Sequence, residues 1–438
     1  MISEGKIDAW ETTTLGRCGR WLSGGTPPKD RPDFWNGTVP WISAKSMNEM
    51  RLYDSDKCIT PLGAENGTRF APIGSILILV RGSMLHQRIP ICIAARDVTF
   101  NQDVKAIVPA PNVLSEFLLY WLLSKESELL DMVEFTGIGA GKLSTDLLYN
   151  MKVELPSPNE QSAIIRILVS LDDKIELNRR MNETLEEIAR TIFKSWFVDF
   201  DPVRAKVEGR EPEGMDAETA ALFPDSFEEP EGVPKGWWMG IVANLGEVVC
   251  GKTPPTSDPE NYGKYMQFIT IPDIHKKIFV TKTNKTLSHK GVKTQPNKTL
   301  PEQSICVSCI ATPGLVSITT ELSQTNQQIN SVIPSSKDIT FYSYYALRGL
   351  ADEIKARGGG GSVITNLNTS QFSNLPVLIV AYELMSKYNE IVEPIFKKIL
   401  DNERESFNLA AVRDALLPEL LSGKISLNTN EKLVEVSR

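Results

Sequence analysis

From about residue 15 to about residue 368 the chain resembles itself at a spacing of roughly 225–230 residues, and a repeat of that length fixes the architecture before any local assignment. Leu15-Gly16 followed by Gly24-Gly25-Thr26-Pro27 is echoed by Leu245-Gly246 followed by Gly251-Lys252-Thr253-Pro254. An aromatic then follows acidic and turn residues in each half, Asp33-Phe34-Trp35 and Asp258 to Tyr262. The apolar run Gly74 to Val80 aligns with Gln303 to Ser308, and Asn101-Gln102-Asp103-Val104 aligns with Asn326-Gln327-Gln328-Ile329. Each half closes on a glycine turn, Gly137 to Gly141 and Gly358 to Gly361. The short β-branched runs between Gly, Pro, Asn and Asp clusters read as strands, with occasional helices such as 115–130. The expected fold is therefore α+β: two similar globular domains, each followed by a long helix, in a chain of 438 residues that is long enough for two or three cores.

The first long helix has the more regular pattern. Leu168, Leu171, Ile175, Asn178, Asn182, Leu185, Ala189, Ile192 and Trp196 alternate at spacings of three and four, which is a coiled-coil seam. Residues 160–200 contain no Pro or Gly and would form a rod of roughly 60 Å. The second segment, 384–417, is broken only by Pro394 and offers Tyr388, Ile391 or Val392, Ile395, Ile399, Leu409, Val412 and Leu416 as a less strict seam. A lone helix would expose such a stripe to water, so the two are expected to pair antiparallel and bury each other. Asn178 and Asn182 then either fix the register of the pair or lie exposed beside it. Residues 201–234 carry five prolines and ten acidic against three basic residues, the composition of a solvated connector. The expected division is a first domain over 1–158, a long helix over 159–200, the acidic connector over 201–234, a second domain over 235–380, a long helix over 381–425 and a tail over 426–438.

Function must come from a catalytic constellation or a binding surface, and the sequence offers no persuasive constellation. There is no nucleotide-binding Gly-rich loop with its Lys and Ser/Thr, and no Asn-Pro-Pro-aromatic tetrad of the kind used on a flipped base. His86, His275 and His289 are far apart and lack metal-ligand spacing. Cys306-Val307-Ser308-Cys309 is a Cys-x-x-Cys pair inside an apolar run, without the two further ligands that a structural zinc needs, and reads as packing. With six cysteines in so long a chain, no disulfide framework is implied. No window approaches the ~18 apolar residues of a membrane span, and the start lacks a secretory signal, so a cytoplasmic location is expected.

The net charge of −8 argues superficially against a polyanionic partner, but residues 235–380 carry 14 basic against 9 acidic side chains. Lys276, Lys277, Lys282, Lys285, Lys290, Lys293 and Lys298 fall within 23 residues free of Asp and Glu. Such a stretch suits a phosphate backbone, which attracts Lys and Arg irrespective of sequence; the bland alternative is a solvated loop or an edge strand kept soluble by lysine. In the first half the candidates are Lys45, Arg81, Arg88 and Lys142, each of which also fits an ordinary surface charge. The two Asn-Gln pairs suit either base contacts or the satisfaction of backbone groups at a strand end.

The stretches Leu168-Val169-Ser170-Leu171-Asp172-Asp173-Lys174-Ile175, Ile192-Phe193-Lys194-Ser195-Trp196-Phe197-Val198-Asp199-Phe200 and Leu416-Leu417-Pro418-Glu419-Leu420-Leu421-Ser422-Gly423-Lys424-Ile425 resemble the central and distal shared regions of the specificity subunits of Type I restriction–modification systems. The paired Thr-Pro turns and Asn-Gln pairs resemble the two target recognition domains of that family. The resemblance implies that each domain reads one half of a bipartite, asymmetric site in double-stranded DNA and that the helices set the unread gap. It also implies that two modification (methyltransferase) subunits bring S-adenosylmethionine, and that restriction/translocase subunits, working with ATP and Mg²⁺, join the core. This chain would then bind no cofactor and direct an enzyme without performing its reaction. Two other readings stay open at this stage: a scaffold that touches no DNA, and the specificity subunit of a system that only methylates.

Overall fold

The computed structural model describes residues 10–136, 139–228, 232–310, 312–358, 367–425 and 427. Most of the second glycine turn and nearly all of the expected tail therefore lie outside the described residues. The chain divides into two compact units, one formed by 1–175 with 408–438 and the other by 176–407.

In the first unit the central sheet is built from β1 (Gly19–Ser23), β2 (Arg51–Leu52), β3 (Ile76–Leu79), β4 (Ile91–Ala94) and β5 (Val104–Pro109), in the order β1-β5-β3-β4-β2. All four residues of β3 are buried, which is why an unbroken apolar run, rather than an alternating one, occupies the middle of the sheet. Only the β2–β4 pairing is parallel. Strand Trp35–Ile42 starts a second sheet with Cys58–Ile59, Val98–Phe100 and Phe70–Ala71; Trp35 and Val39 both face Ile59, which marks a bulge. The helix expected over 115–130 is two helices, Ser115–Ser124 and Glu126–Asp131, because Lys125 leaves helical geometry at φ −98°, ψ 8°.

The second unit repeats the central sheet strand for strand, with a companion sheet of three strands in place of four. Its central sheet holds β6 (Gly246–Cys250), β7 (Phe279–Val280), β8 (Ile305–Ser308), β9 (Val316–Thr319) and β10 (Ile329–Pro334), in the order β6-β10-β8-β9-β7. Again only the pairing of the second and fourth strands, β7–β9, is parallel. The companion sheet carries the same bulge, with Tyr262 and Met266 both facing Leu287. Cys306 and Cys309 are buried, and burial pushes their thiols up to about 12 and about 11, so they act as small apolar side chains.

The long helices are α1 (Pro158–Phe197) and α2 (Tyr382–Leu421), 40 residues each and hence about 60 Å in length. Pro394 does not break α2. It lies on the exposed face beside exposed Glu390, where the carbonyl that loses its helical donor meets water. Within the second unit the helices run antiparallel: Tyr388 donates to the Ala189 carbonyl at 2.9 Å and Asn182 to the Ile399 carbonyl at 3.2 Å. In the first unit Arg413 bonds Asp172 at 2.6 Å, and Asp172 also accepts from buried Tyr120 at 2.5 Å, tying helix to domain body.

Of the expected seam, Leu168, Asn178, Ala189, Trp196 and Tyr388 are buried, and Leu171, Ile175, Asn182, Leu185, Ile192, Ile395, Leu409 and Leu416 are half-buried. Val412 is 48% exposed and faces away from the seam, a correction to its place in the pattern. The acidic 201–234 stretch is not simply solvated either. It forms helices Asp201–Val207 and Ala217–Ala221, and Val203 and Phe223 join the second unit's core beside Trp196 and Trp237.

Candidate nucleic-acid interface

The seven lysines do not share one loop. Lys276 and Lys277 follow the short helix Ile271–Ile274, Lys285 opens edge strand Lys285–Leu287, Lys290 and Lys293 lie on helix His289–Lys293, and Lys298 ends a 3-10 turn. All are exposed except half-buried Lys298. They are not equally available to a partner. Lys290 is held by Asp258 at 2.8 Å and Glu260 at 2.7 Å, so its charge is already answered within the chain, and these carboxylates raise its pKa to about 12. Lys282 lies 4.8 Å from the centre of the Phe407 ring. The edge-strand position of Lys285 also fits the protective role of lysine on an open sheet edge.

In the first domain a small three-stranded sheet joins Val133–Thr136, Ala140–Leu143 and Arg81–Gly82. Its register sets Arg81 directly opposite Lys142. Lys142 has Arg81 opposite it on one side and Glu134 opposite it on the other, and neither cation makes an ion pair among the described residues. Lys45 instead pairs with Asp56 at 3.3 Å, and Arg88 is spent on the Met47 carbonyl at 3.2 Å and Asn48 at 3.0 Å. Of the four cations, only Arg81 and Lys142 are brought together.

The paired motifs meet in space, once in each domain. The Gly-x-Thr-Pro turn presses on the Asn-Gln turn so closely that a Cβ on Gly24 would lie 2.2 Å from the Phe100 carbonyl oxygen, and one on Gly251 2.2 Å from that of Asn326. No residue but glycine fits either place without moving backbone. Asn101 Oδ1 accepts from the Asp103 amide at 3.1 Å and Asn326 Oδ1 from the Gln328 amide at 3.1 Å, the same Asx turn twice. The Asn of each pair is thus structural. The Gln of each pair is exposed, and its Oε1 accepts from the turn threonine: Thr26 to Gln102 at 2.6 Å, Thr253 to Gln327 at 2.6 Å. The aromatic noted after each turn also has a task, Trp35 donating to the Pro28 carbonyl at 3.0 Å and Tyr262 to that of Pro254 at 3.2 Å.

Between α1 and α2 the second unit holds a polar layer. Asn402 donates to Asn182 Oδ1 at 2.8 Å, and Asn178 donates to Glu405 at 2.8 Å. Asn402 is 1% exposed, and apolar periodicity passes over it because it is polar. Its signal is its spacing: it lies three residues beyond Ile399, on the face that Tyr388 and Ile395 begin. Among the described residues no three His, Cys, Asp or Glu side chains gather in a way that would hold a metal ion.

A model of the Type I restriction modification DNA specificity domain matches residues 7–187 and again 234–406. The chain is 39% identical over 370 residues to the specificity subunit of the Type I restriction enzyme HindI of Haemophilus influenzae, covering 74% of this chain and 81% of that protein. It is 27% identical over 433 residues to the specificity subunit of the Type I restriction enzyme MjaIX of Methanocaldococcus jannaschii, covering 96% and 95%. The crystal structure of a Type I restriction–modification S subunit from M. genitalium superposes with a TM-score of 0.56 at 15% identity over 96% of this chain and 97% of that one, a likeness of fold.

Proposed function

The chain belongs to the Type I restriction modification DNA specificity family, and from that premise we propose that its two domains each read one half of a bipartite, asymmetric DNA site, with α1 and α2 setting the unread gap. As a specificity subunit of such a system it selects the DNA sequence on which other subunits act and by family carries no catalytic activity of its own. The observation that supports a bipartite site is the duplication: two domains whose central sheets share one strand order and one pattern of parallel and antiparallel pairs, whose companion sheets share one bulge, and whose charge balance differs. Two readers of like construction but unlike charge suit two unlike half-sites. Linking them in one chain makes the second contact intramolecular, so tight binding needs both halves.

Arg81, Lys142 and the six lysines of 276–298 other than Lys290 are the phosphate-facing cations of this reading; Lys45, Arg88 and Lys290 are committed inside the chain. In the assembly, which works in the cytoplasm, two modification subunits dock on the helices and domains and bring S-adenosylmethionine. Translocating nuclease subunits bring the chemistry of ATP and Mg²⁺. No described helix is long and apolar enough to cross a membrane. The test is salt-dependent binding of the complex with its methyltransferase subunits to a library of duplexes. A two-part consensus with a fixed unread gap is expected, together with a steep loss of affinity as salt rises. Binding without any two-part consensus would reject the reading.

A further inference from the structure

Domains that read different half-sites have different base contacts, whereas every half-site offers the same sugar–phosphate backbone, which positions a protein without specifying sequence. A device kept atom for atom in both domains therefore belongs with what the half-sites share. The clasp between the Gly-x-Thr-Pro turn and the Asn-Gln turn is such a device. Its closure does not need the threonine–glutamine bond. The glycine approach, the Asx turn and the backbone bonds Gly25 N to Phe100 O at 3.0 Å and Lys252 N to Thr325 O at 2.9 Å already hold the loops together. At the surface, where water competes, a neutral side-chain hydrogen bond adds little stability.

What the bond does accomplish is orientation. With Oε1 taken by the threonine hydroxyl, each exposed glutamine turns its Nε2 outward as a pure donor. Gln102 Nε2 makes one long contact, 3.4 Å, to Asp103, and Gln327 Nε2 makes none among the described residues. At Gln327 this leaves a fixed donor with no acceptor beside it among the described residues, and at Gln102 a donor whose one partner, Asp103, sits at the limit of hydrogen-bond range; such donors complement a surface of acceptors, which is what phosphate oxygens present. Exposed Lys252 next to Thr253 adds positive charge beside the second clasp, whereas at the first, exposed Lys29 is offset by its neighbour Asp30.

Resting on the assignment of the domains as DNA readers, we infer that Gln102 and Gln327 are sequence-independent anchors, one per half-site, that donate to the DNA backbone, and that Thr26 and Thr253 are their positioning residues. The test uses the assembled complex with its methyltransferase subunits and measures affinity for cognate duplexes and for duplexes with either half-site scrambled. The double substitution Gln102→Ala, Gln327→Ala should weaken binding to all of them by one common factor of about tenfold. The methylated consensus, subunit assembly and the slope of log affinity against log salt should stay unchanged, because a neutral amide displaces no counterion. Gln102→Glu with Gln327→Glu keeps the threonine bond and the shape but replaces donors with anionic acceptors, and should weaken binding further. Thr26→Val with Thr253→Val should reproduce part of the loss, and the Ser variants should restore it. Unchanged affinity in the Ala and Glu variants would overturn the inference; so would a loss confined to one base position, which means base reading, or failed assembly, which means docking of a protein partner. If instead the wild-type complex shows no preference for a bipartite duplex, it is the DNA-reader assignment that fails.

Discussion

Glu403 on α2 is half-buried, with Lys277 as the opposing cation and Glu186 as a like charge; loss of water contact is the largest influence and raises its pKa to about 7 from 4.5. The folded state thus holds this proton over a range where the unfolded chain has released it. Stability from this group is highest below about pH 4.5, falls as pH rises through the interval to about 7, and is level above it. Comparing wild type with Glu403→Gln in thermal unfolding between pH 5 and pH 8 should show a slope in the wild type that the variant loses; equal slopes would contradict this. A second contrast concerns lysine. Gln at Lys276, Lys285 or Lys293 should each shallow the salt dependence of DNA binding by about one phosphate contact. Lys290→Gln should leave that slope nearly unchanged, because Asp258 and Glu260 already neutralise it. The lysine run itself is legible as composition. The exemption of Lys290 is not, because its partners lie some 30 residues upstream and only the bulged companion sheet brings them near.

At the scale of elements, α1 could be read from its sequence because Leu168, Ile175, Asn178, Asn182, Ala189 and Trp196 keep a heptad spacing, even though Phe193 and Phe197 also pack on Tyr342 of the domain body. The face of α2 is wider. Phe396, fully buried, stacks on Phe341 of the domain body at 4.1 Å, while Tyr388 reaches across to α1, so apolar residues spread over more than one stripe and the seam blurs. With so broad an apolar face, spacing alone does not separate exposed Val412 from the seam, and apolar periodicity passes over buried Asn402 because it is polar. Asn182→Ala removes both its bond to Ile399 and the acceptor for buried Asn402, and should cost about 1–3 kcal/mol in urea unfolding of the full chain. Leu168→Ala, at a fully buried position where α1 joins the first domain's core, should cost about 2–5 kcal/mol by leaving a cavity. An unchanged midpoint in either variant would contradict the packing described. Short strands were the least legible elements: pieces of two residues such as Arg51–Leu52 and Phe279–Val280 carry too little pattern to announce a pairing set by residues some 40 positions away.

For the molecule as a whole, the repeat at about 225–230 residues gave the architecture directly, because a duplicated sequence has to bury two equivalent cores. The motifs that exposed the repeat also proved to be the ones that touch, since the glycine, threonine, asparagine and glutamine of each half build one clasp. Which cations stay free of partners within the chain was less legible, because that depends on neighbours distant in sequence. On the proposed reading the helix pair is a ruler, and its length should be written into the site that is chosen. The decisive measurement is to map methylated positions in DNA from cells that carry this chain and its methyltransferase subunits, side by side with a variant lengthened by one heptad between Asn182 and Ala189. The account predicts two separated specific blocks for the native chain, and for the variant the same blocks with an altered gap or no methylation at all. A contiguous consensus, or a variant whose letters change while its gap does not, would contradict it.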